Sequence, residues 1–87
     1  MRVVATQIWP DGTMGRRMVD TALLPDARRW EELASRALAV TPPYQPVPGT
    51  AVYHVSIDNH VIMVGESDLN GPLLDLVTAV MALGNEM

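Results

Sequence analysis

The sequence predicts an α+β domain with the element order ββαββα: a four-stranded, mainly antiparallel sheet with two helices packed on one face. Two observations support this fold class. Alternating apolar runs occur in two pairs, each pair separated by a short polar turn. Each pair is followed by a helix start marked by proline, Pro25 in the first half and Pro72 in the second. The 87 residues allow only one modest core, so we expect a single domain over residues 1–87.

The first pair of runs predicts a hairpin. Arg2 to Trp9 is rich in β-branched residues and has a period of two, which is typical of a strand. Pro10-Asp11-Gly12 predicts a turn, because proline presets φ and glycine tolerates positive φ. Gly15 is a candidate β-bulge. Arg16 to Leu23 is then the expected returning strand.

A helix is predicted to begin at Pro25 and Asp26, because proline suits the first turn and an acid suits the positive end of the helix dipole. Its apolar residues recur with helical spacing and indicate one buried face: Trp30, Leu33, Ala34, Ala37 and Leu38. Thr41 to Gly49 follows with four prolines, so we expect an extended connection without regular structure.

The second hairpin is predicted in more detail, because a two-residue turn at Asp58-Asn59 determines its register. The expected strands are Val52 to Asp58 and His60 to Glu66. In this register one face is almost wholly apolar and should form the core, whereas the other face is mixed. The facing pairs on the core side are Ile57 with His60, Val55 with Ile62, and Tyr53 with Val64.

The final helix should begin after Asn70 as N-cap and end near Leu83, with Gly84 as a suitable stop. Its apolar arc is wide, which favours deep burial or a self-association surface. The residues on this arc are Leu73, Leu76, Val77, Val80 and Leu83, with Leu74 and Met81 beside them.

Charge and composition exclude several classes of function. The net charge is −4, and residues 51–87 contain five acids and no Lys or Arg. Nucleic-acid binders need a basic face, so we expect no nucleic-acid partner. The chain has no cysteine, which excludes disulfides and thiolate metal sites and favours a reducing, cytoplasmic location. No apolar run is long enough for a membrane span, and the first residues do not resemble a signal peptide.

The two histidines are the natural candidates for catalysis or metal binding. In the predicted register His54 and His60 lie on opposite faces of the hairpin, so they cannot share a metal ion or relay a proton. Ser56 near His54 lacks an orienting acid, so it does not form a catalytic triad. The sequence therefore predicts no catalytic, metal or cofactor site, and we expect the protein not to be an enzyme.

Several stretches resemble the emfourin-type protealysin inhibitors, small bacterial proteins that inhibit thermolysin-like zinc metalloproteases. The similar features run in order along most of the chain: the strand RVVATQ, the Arg16-Arg17 pair, the segment VDTALLP, the strand VYHVSID, the strand VIMVGESDL and the Pro72-Leu73-Leu74 helix start. Much of this similarity concerns residues that specify the fold. The first turn, WPDGTMG, departs from the paired glycines usual in the family.

The resemblance implies a protein partner, a thermolysin-like metalloprotease, which a rigid loop would inhibit without chemistry. The candidate partner-binding residues lie in the first turn, with Met14 as an apolar plug; they are Trp9, Pro10, Asp11, Gly12 and Met14. The rival hypothesis is a non-inhibitory interaction or assembly domain, a homodimer through an exposed sheet face or through the apolar arc of the second helix.

Overall fold

The computed structural model describes residues 1–86, which form one sheet and two α-helices. The strands and helices follow the predicted order, with a short extra strand at the end. Their bounds are β1 Arg2–Ile8, β2 Met14–Asp20, α1 Ala27–Ala39, β3 Val52–Ile57, β4 His60–Gly65, α2 Gly71–Leu83 and β5 Asn85–Glu86.

The sheet has the strand order β4-β3-β1-β2-β5, and every neighbouring pair of strands is antiparallel. The predicted α+β class, with four antiparallel strands and two helices, is therefore confirmed. The addition is β5, which extends the sheet by pairing with Arg17 and Met18 of β2. A strand of two residues is too short to show an alternating pattern in the sequence. It forms because the edge of β2 lies beside it, and that neighbour is known only from the fold.

The returning strand of the first hairpin differs from the prediction at both ends. It begins at Met14 rather than Arg16 and ends at Asp20, after which Thr21–Leu23 forms a 3₁₀ turn. The Asp20 carboxylate accepts a hydrogen bond from the Ala22 N–H at 3.1 Å, so a local side-chain cap replaces the end of the ladder. The bulge expected at Gly15 is wrong, because Gly15 pairs with Gln7 in an unbroken register.

The second hairpin has the predicted register, with Ile57 opposite His60, Val55 opposite Ile62, and Tyr53 opposite Val64. The turn places Asp58 in the left-handed region at a φ of 51°. Two hydrogen bonds with Arg2 hold Asp58 in this conformation. The Asp58 N–H donates to the Arg2 carbonyl, and the Asp58 carboxylate accepts from the Arg2 N–H, both at 2.9 Å.

The core lies between the helices and one face of the sheet. Leu76 and Val80 of α2 are fully buried, and α1 contributes Trp30, Ala34 and Ala37. The predicted buried face of α1 is thus confirmed, although Leu33 and Leu38 at its margin are only partly buried. The sheet residues of the same cluster all belong to one face: Val3, Ala5, Val19, Val55, Ile57, Ile62 and Val64.

The proline-rich stretch contains no helix or strand between Thr41 and Gly49, as predicted. It passes close to the end of β4. A side chain at Gly65 would place its Cβ 3.1 Å from the Cα of Pro46, so glycine permits this close approach. Among residues 1–86, no helix is long and apolar enough to cross a membrane.

Candidate protein-binding hairpin

The loop between β1 and β2 is closed by hydrogen bonds within itself. The Trp9 N–H donates to the Thr13 carbonyl at 2.8 Å, and the Gly12 N–H donates to the Trp9 carbonyl at 2.9 Å. The Thr13 N–H donates to Oδ1 of Asp11 at 2.9 Å. Gly12 has a φ of +90°, which L-residues rarely adopt. These bonds and this glycine hold five residues in one conformation at the end of the hairpin.

The side chains of this loop point into solvent. Trp9 is 43% exposed and Met14 is 58% exposed, although both are large and apolar. Pro10, Asp11 and Gly12 are exposed as well. The structure therefore brings all five residues predicted to bind a partner together at one tip of the molecule. An exposed Trp and Met on a rigid loop are typical of side chains that anchor a protein contact.

Asp11 has a structural role in the loop. Hydrogen bonding to the Thr13 side chain, and to a smaller extent to the Thr13 backbone N–H, lowers the pKa of Asp11 below its ordinary value. The carboxylate is therefore ionised throughout the neutral range. It is also the only charged group between Trp9 and Met14.

Met14 belongs to a larger surface, which we call the open face: the face of β1 to β4 that points away from the helices. The pairing registers arrange twelve of its side chains in three rows across the four strands, and Arg2 and Asp20 form a further pair at the ends of β1 and β2. The two outer rows are apolar apart from one serine and one glycine, and the middle row is mainly polar. The rows are Gly65, Val52, Ile8 and Met14; Met63, His54, Thr6 and Arg16; and Val61, Ser56, Val4 and Met18.

The middle row of the open face is held by a hydrogen bond. Arg16 Nε donates to Oγ1 of Thr6 at 3.1 Å. Thr6 is only 3% exposed, although it lies on the face that points away from α1 and α2. Arg16 and His54 are the basic side chains of these three rows, and none of the twelve positions in the rows is an acid. The pair beyond them, Arg2 and Asp20, carries one charge of each sign.

The two histidines lie on opposite faces of the second hairpin, as the register predicted: His54 belongs to the open face, and His60 pairs with Ile57 on the core side. His60 is exposed. Within residues 1–86, no three His, Cys, Asp or Glu side chains are grouped closely enough to hold a metal ion.

The apolar character of the open face is not among the sequence predictions. The outer face of the second hairpin alone is mixed, and the apolar surface appears only when that face is combined with the first hairpin. The signal lies in alternate residues of the first two strands, Val4 and Ile8 and then Met14 and Met18. Because β1 pairs with β3, these residues align with Val52 and the apolar residues of β4. That non-sequential pairing is not visible along the chain.

Comparisons with protein families, with curated proteins and with solved structures gave no match to this chain.

Proposed function

We propose that this protein binds another protein through the β1–β2 loop and acts as an inhibitor of a thermolysin-like zinc metalloprotease. The observation that supports the proposal best is the loop itself: an internally hydrogen-bonded turn that presents Trp9 and Met14 to solvent. The choice of target follows from the sequence resemblance to emfourin-type inhibitors.

Rigidity is what makes such a loop a good inhibitor. A flexible segment loses conformational entropy when it is ordered in a cleft, at about 1–2 kcal/mol for each residue whose backbone becomes fixed. The bonds of Trp9 to Thr13 and of Thr13 to Asp11 have already ordered this loop in the free protein. Little of the binding energy from the side chains is then spent on ordering the loop backbone, so more of it contributes to affinity.

Met14 and Trp9 have distinct roles in this mechanism. Met14 is unbranched and adaptable, so it suits an apolar subsite of the enzyme. Trp9 provides a large, amphipathic surface at the other side of the loop. Inhibition therefore needs neither a metal ligand nor a nucleophile on this chain, because the loop occupies the cleft and excludes the substrate.

The test is to titrate thermolysin with the purified protein and measure the remaining hydrolysis of a peptide substrate. We expect activity to fall as the protein is added in the micromolar range or below, and a Met14→Ala variant to bind at least ~10-fold more weakly. Unchanged protease activity at a large micromolar excess contradicts the proposal for this class of enzyme.

The matched control for this test is Met63→Ala. Met63 is also an exposed methionine of the open face, 41% exposed, but it lies on β4 and not on the loop. If the loop is the inhibitory element, Met63→Ala inhibits like the natural chain. Equal losses in Met14→Ala and Met63→Ala would place the contact on the open face as a whole.

A further inference from the structure

The outer edge of β4 presents backbone groups that are free to pair. Ile57 and His60 flank a two-residue turn, so they form the hydrogen-bonded pair closest to it. Hydrogen-bonded and non-hydrogen-bonded pairs alternate along an antiparallel ladder. The Glu66 N–H donates to the Ala51 carbonyl at 2.9 Å, so this pair is hydrogen-bonded, as the alternation from Ile57 and His60 requires. The N–H and C=O groups of Val61 and Met63 therefore point away from β3, where the sheet formed by residues 1–86 ends.

This edge lacks the features that usually prevent strands from pairing between molecules. Edge strands are commonly protected by Lys, Pro, a bulge or a covering segment. β4 reads HVIMVG and contains no Lys, Arg, Asp, Glu or Pro, and its pairing with β3 has no bulge. Val61 is 59% exposed. The opposite side of the sheet differs, since β5 covers part of β2, which also carries Arg16 and Arg17.

The acids at the two ends of β4 are directed inward. The Asp58 carboxylate accepts a hydrogen bond from the Arg2 N–H on β1. Glu66 Oε2 accepts one from the Ala51 N–H beside β3, at 3.4 Å. Both carboxylates are therefore held on the inner side of the hairpin, and two such edges can approach without direct contact between like charges. This matters in a chain whose net charge is −4.

We propose that the partner of this edge is a second copy of the same chain, paired antiparallel through β4 so that the two sheets become continuous. The pairing is centred on Ile62, which places Val61 of one copy opposite Met63 of the other. Both residues project from the open face, so apolar side chains meet across the two-fold axis. Pro46 packs against Gly65 and limits the paired stretch to His60–Val64.

The dimer is expected to be weak. A strand of five residues buries far less than the ~1,200 Å² of a standard stable interface. Its stability comes from main-chain hydrogen bonds and the Val61–Met63 contacts, which suits a dissociation constant in the range of ~10–1,000 µM. The β1–β2 loop lies on the β2 side of the sheet, so pairing through β4 leaves the loop exposed.

The test combines light scattering with amide hydrogen exchange over a concentration series that reaches ~1 mM. We expect the mean mass to rise towards that of two copies, and the exchange of the Val61 and Met63 amides to slow in proportion to the fraction of paired chains, by about twofold or more at the highest concentration. A monomer throughout the series overturns the proposal. A dimer in which the Val61 and Met63 amides stay unprotected also overturns the proposal, because the two copies would then pack through a face of the molecule and not through the edge of β4.

A matched pair of variants sharpens the test. Val61→Lys places a charge on the edge, and we expect it to weaken the dimer by at least ~10-fold. Val40→Lys makes the same change at the end of α1, where Val40 is 64% exposed, and should leave the dimer unchanged. Circular dichroism verifies that both variants fold. If Val61→Lys and Val40→Lys dimerise equally well, the proposal is overturned. Thermolysin inhibition by Val61→Lys should equal that of the natural chain, which separates this result from the proposed inhibitory function.

Discussion

Gly84 packs directly against Arg17. A Cβ added at Gly84 would lie 2.9 Å from the Cβ of Arg17 and 2.5 Å from the Val80 carbonyl oxygen. Gly84 ends α2 with a φ of −69°, so any residue could adopt its backbone conformation. Glycine is needed here for space, because the chain must leave the helix and meet β2 within one residue.

We therefore expect Gly84→Ala to lower the free energy of unfolding by about 1–3 kcal/mol, the usual cost of overpacking. Urea denaturation measures the change. Gly15→Ala is the control, because a Cβ added at Gly15 would meet no other atom within 4 Å and the residue has no positive φ. Alanine should therefore be neutral or slightly stabilising at that position. Equal effects at the two glycines would contradict the steric explanation.

The turn between β3 and β4 depends on Asp58. Its left-handed φ of 51° is a strained position for a residue with a side chain, and the carboxylate bond to the Arg2 N–H stabilises it. Asp58→Ala removes the acceptor and keeps the strain, so we expect a loss of about 1–2 kcal/mol in unfolding free energy. Asp58→Asn keeps an acceptor and a residue that tolerates this region, and should cost less than ~0.5 kcal/mol. Thermal unfolding of both variants distinguishes the two contributions, since a similar loss in each would mean that the acceptor is irrelevant.

Asp11 gives the loop a pH dependence at acid pH. Because hydrogen bonding to Thr13 lowers the pKa of Asp11 in the folded state from 3.8, the ionised carboxylate stabilises the loop above that value. This contribution is lost as the pH falls through the lowered pKa. In Thr13→Val the hydroxyl is absent, and we expect the pKa of Asp11 to move up towards its ordinary value. An NMR titration of the Asp11 carboxyl carbon in both proteins measures the difference, and identical midpoints would refute it.

The second helix should show a sharp contrast between its two faces. Leu76 is fully buried and Leu74, two residues earlier, is 39% exposed. Leu76→Ala leaves a cavity between α2 and the sheet and should cost about 2–5 kcal/mol. Leu74→Ala changes a partly exposed side chain and should cost less than about 1 kcal/mol. Urea denaturation of the two variants compares them, and a larger loss at Leu74 would show that the helix packs through a different face.

Local patterns predicted most of the fold for a physical reason. Alternation in the second hairpin and the two-residue turn determine which side chains share a face, because a shift of one residue would expose Val55 and Ile62 together. The phase of Trp30, Ala34 and Ala37 likewise indicates one buried face of α1. The candidate loop followed from Pro10, Asp11 and Gly12, whose backbone preferences act within a few residues.

Residues close together along the chain suffice to predict the α+β class, the register of the second hairpin and the separation of His54 from His60. The position of β1 beside β3, which joins the apolar residues of both hairpins into one open face, is visible only in the three-dimensional fold. The same is true of the contact of Gly84 with β2, the pairing of β5 and the free edge of β4. These features arise between segments that are distant in sequence, where packing and the hydrogen bonds of neighbouring strands, rather than local preference, determine what is covered and what stays exposed.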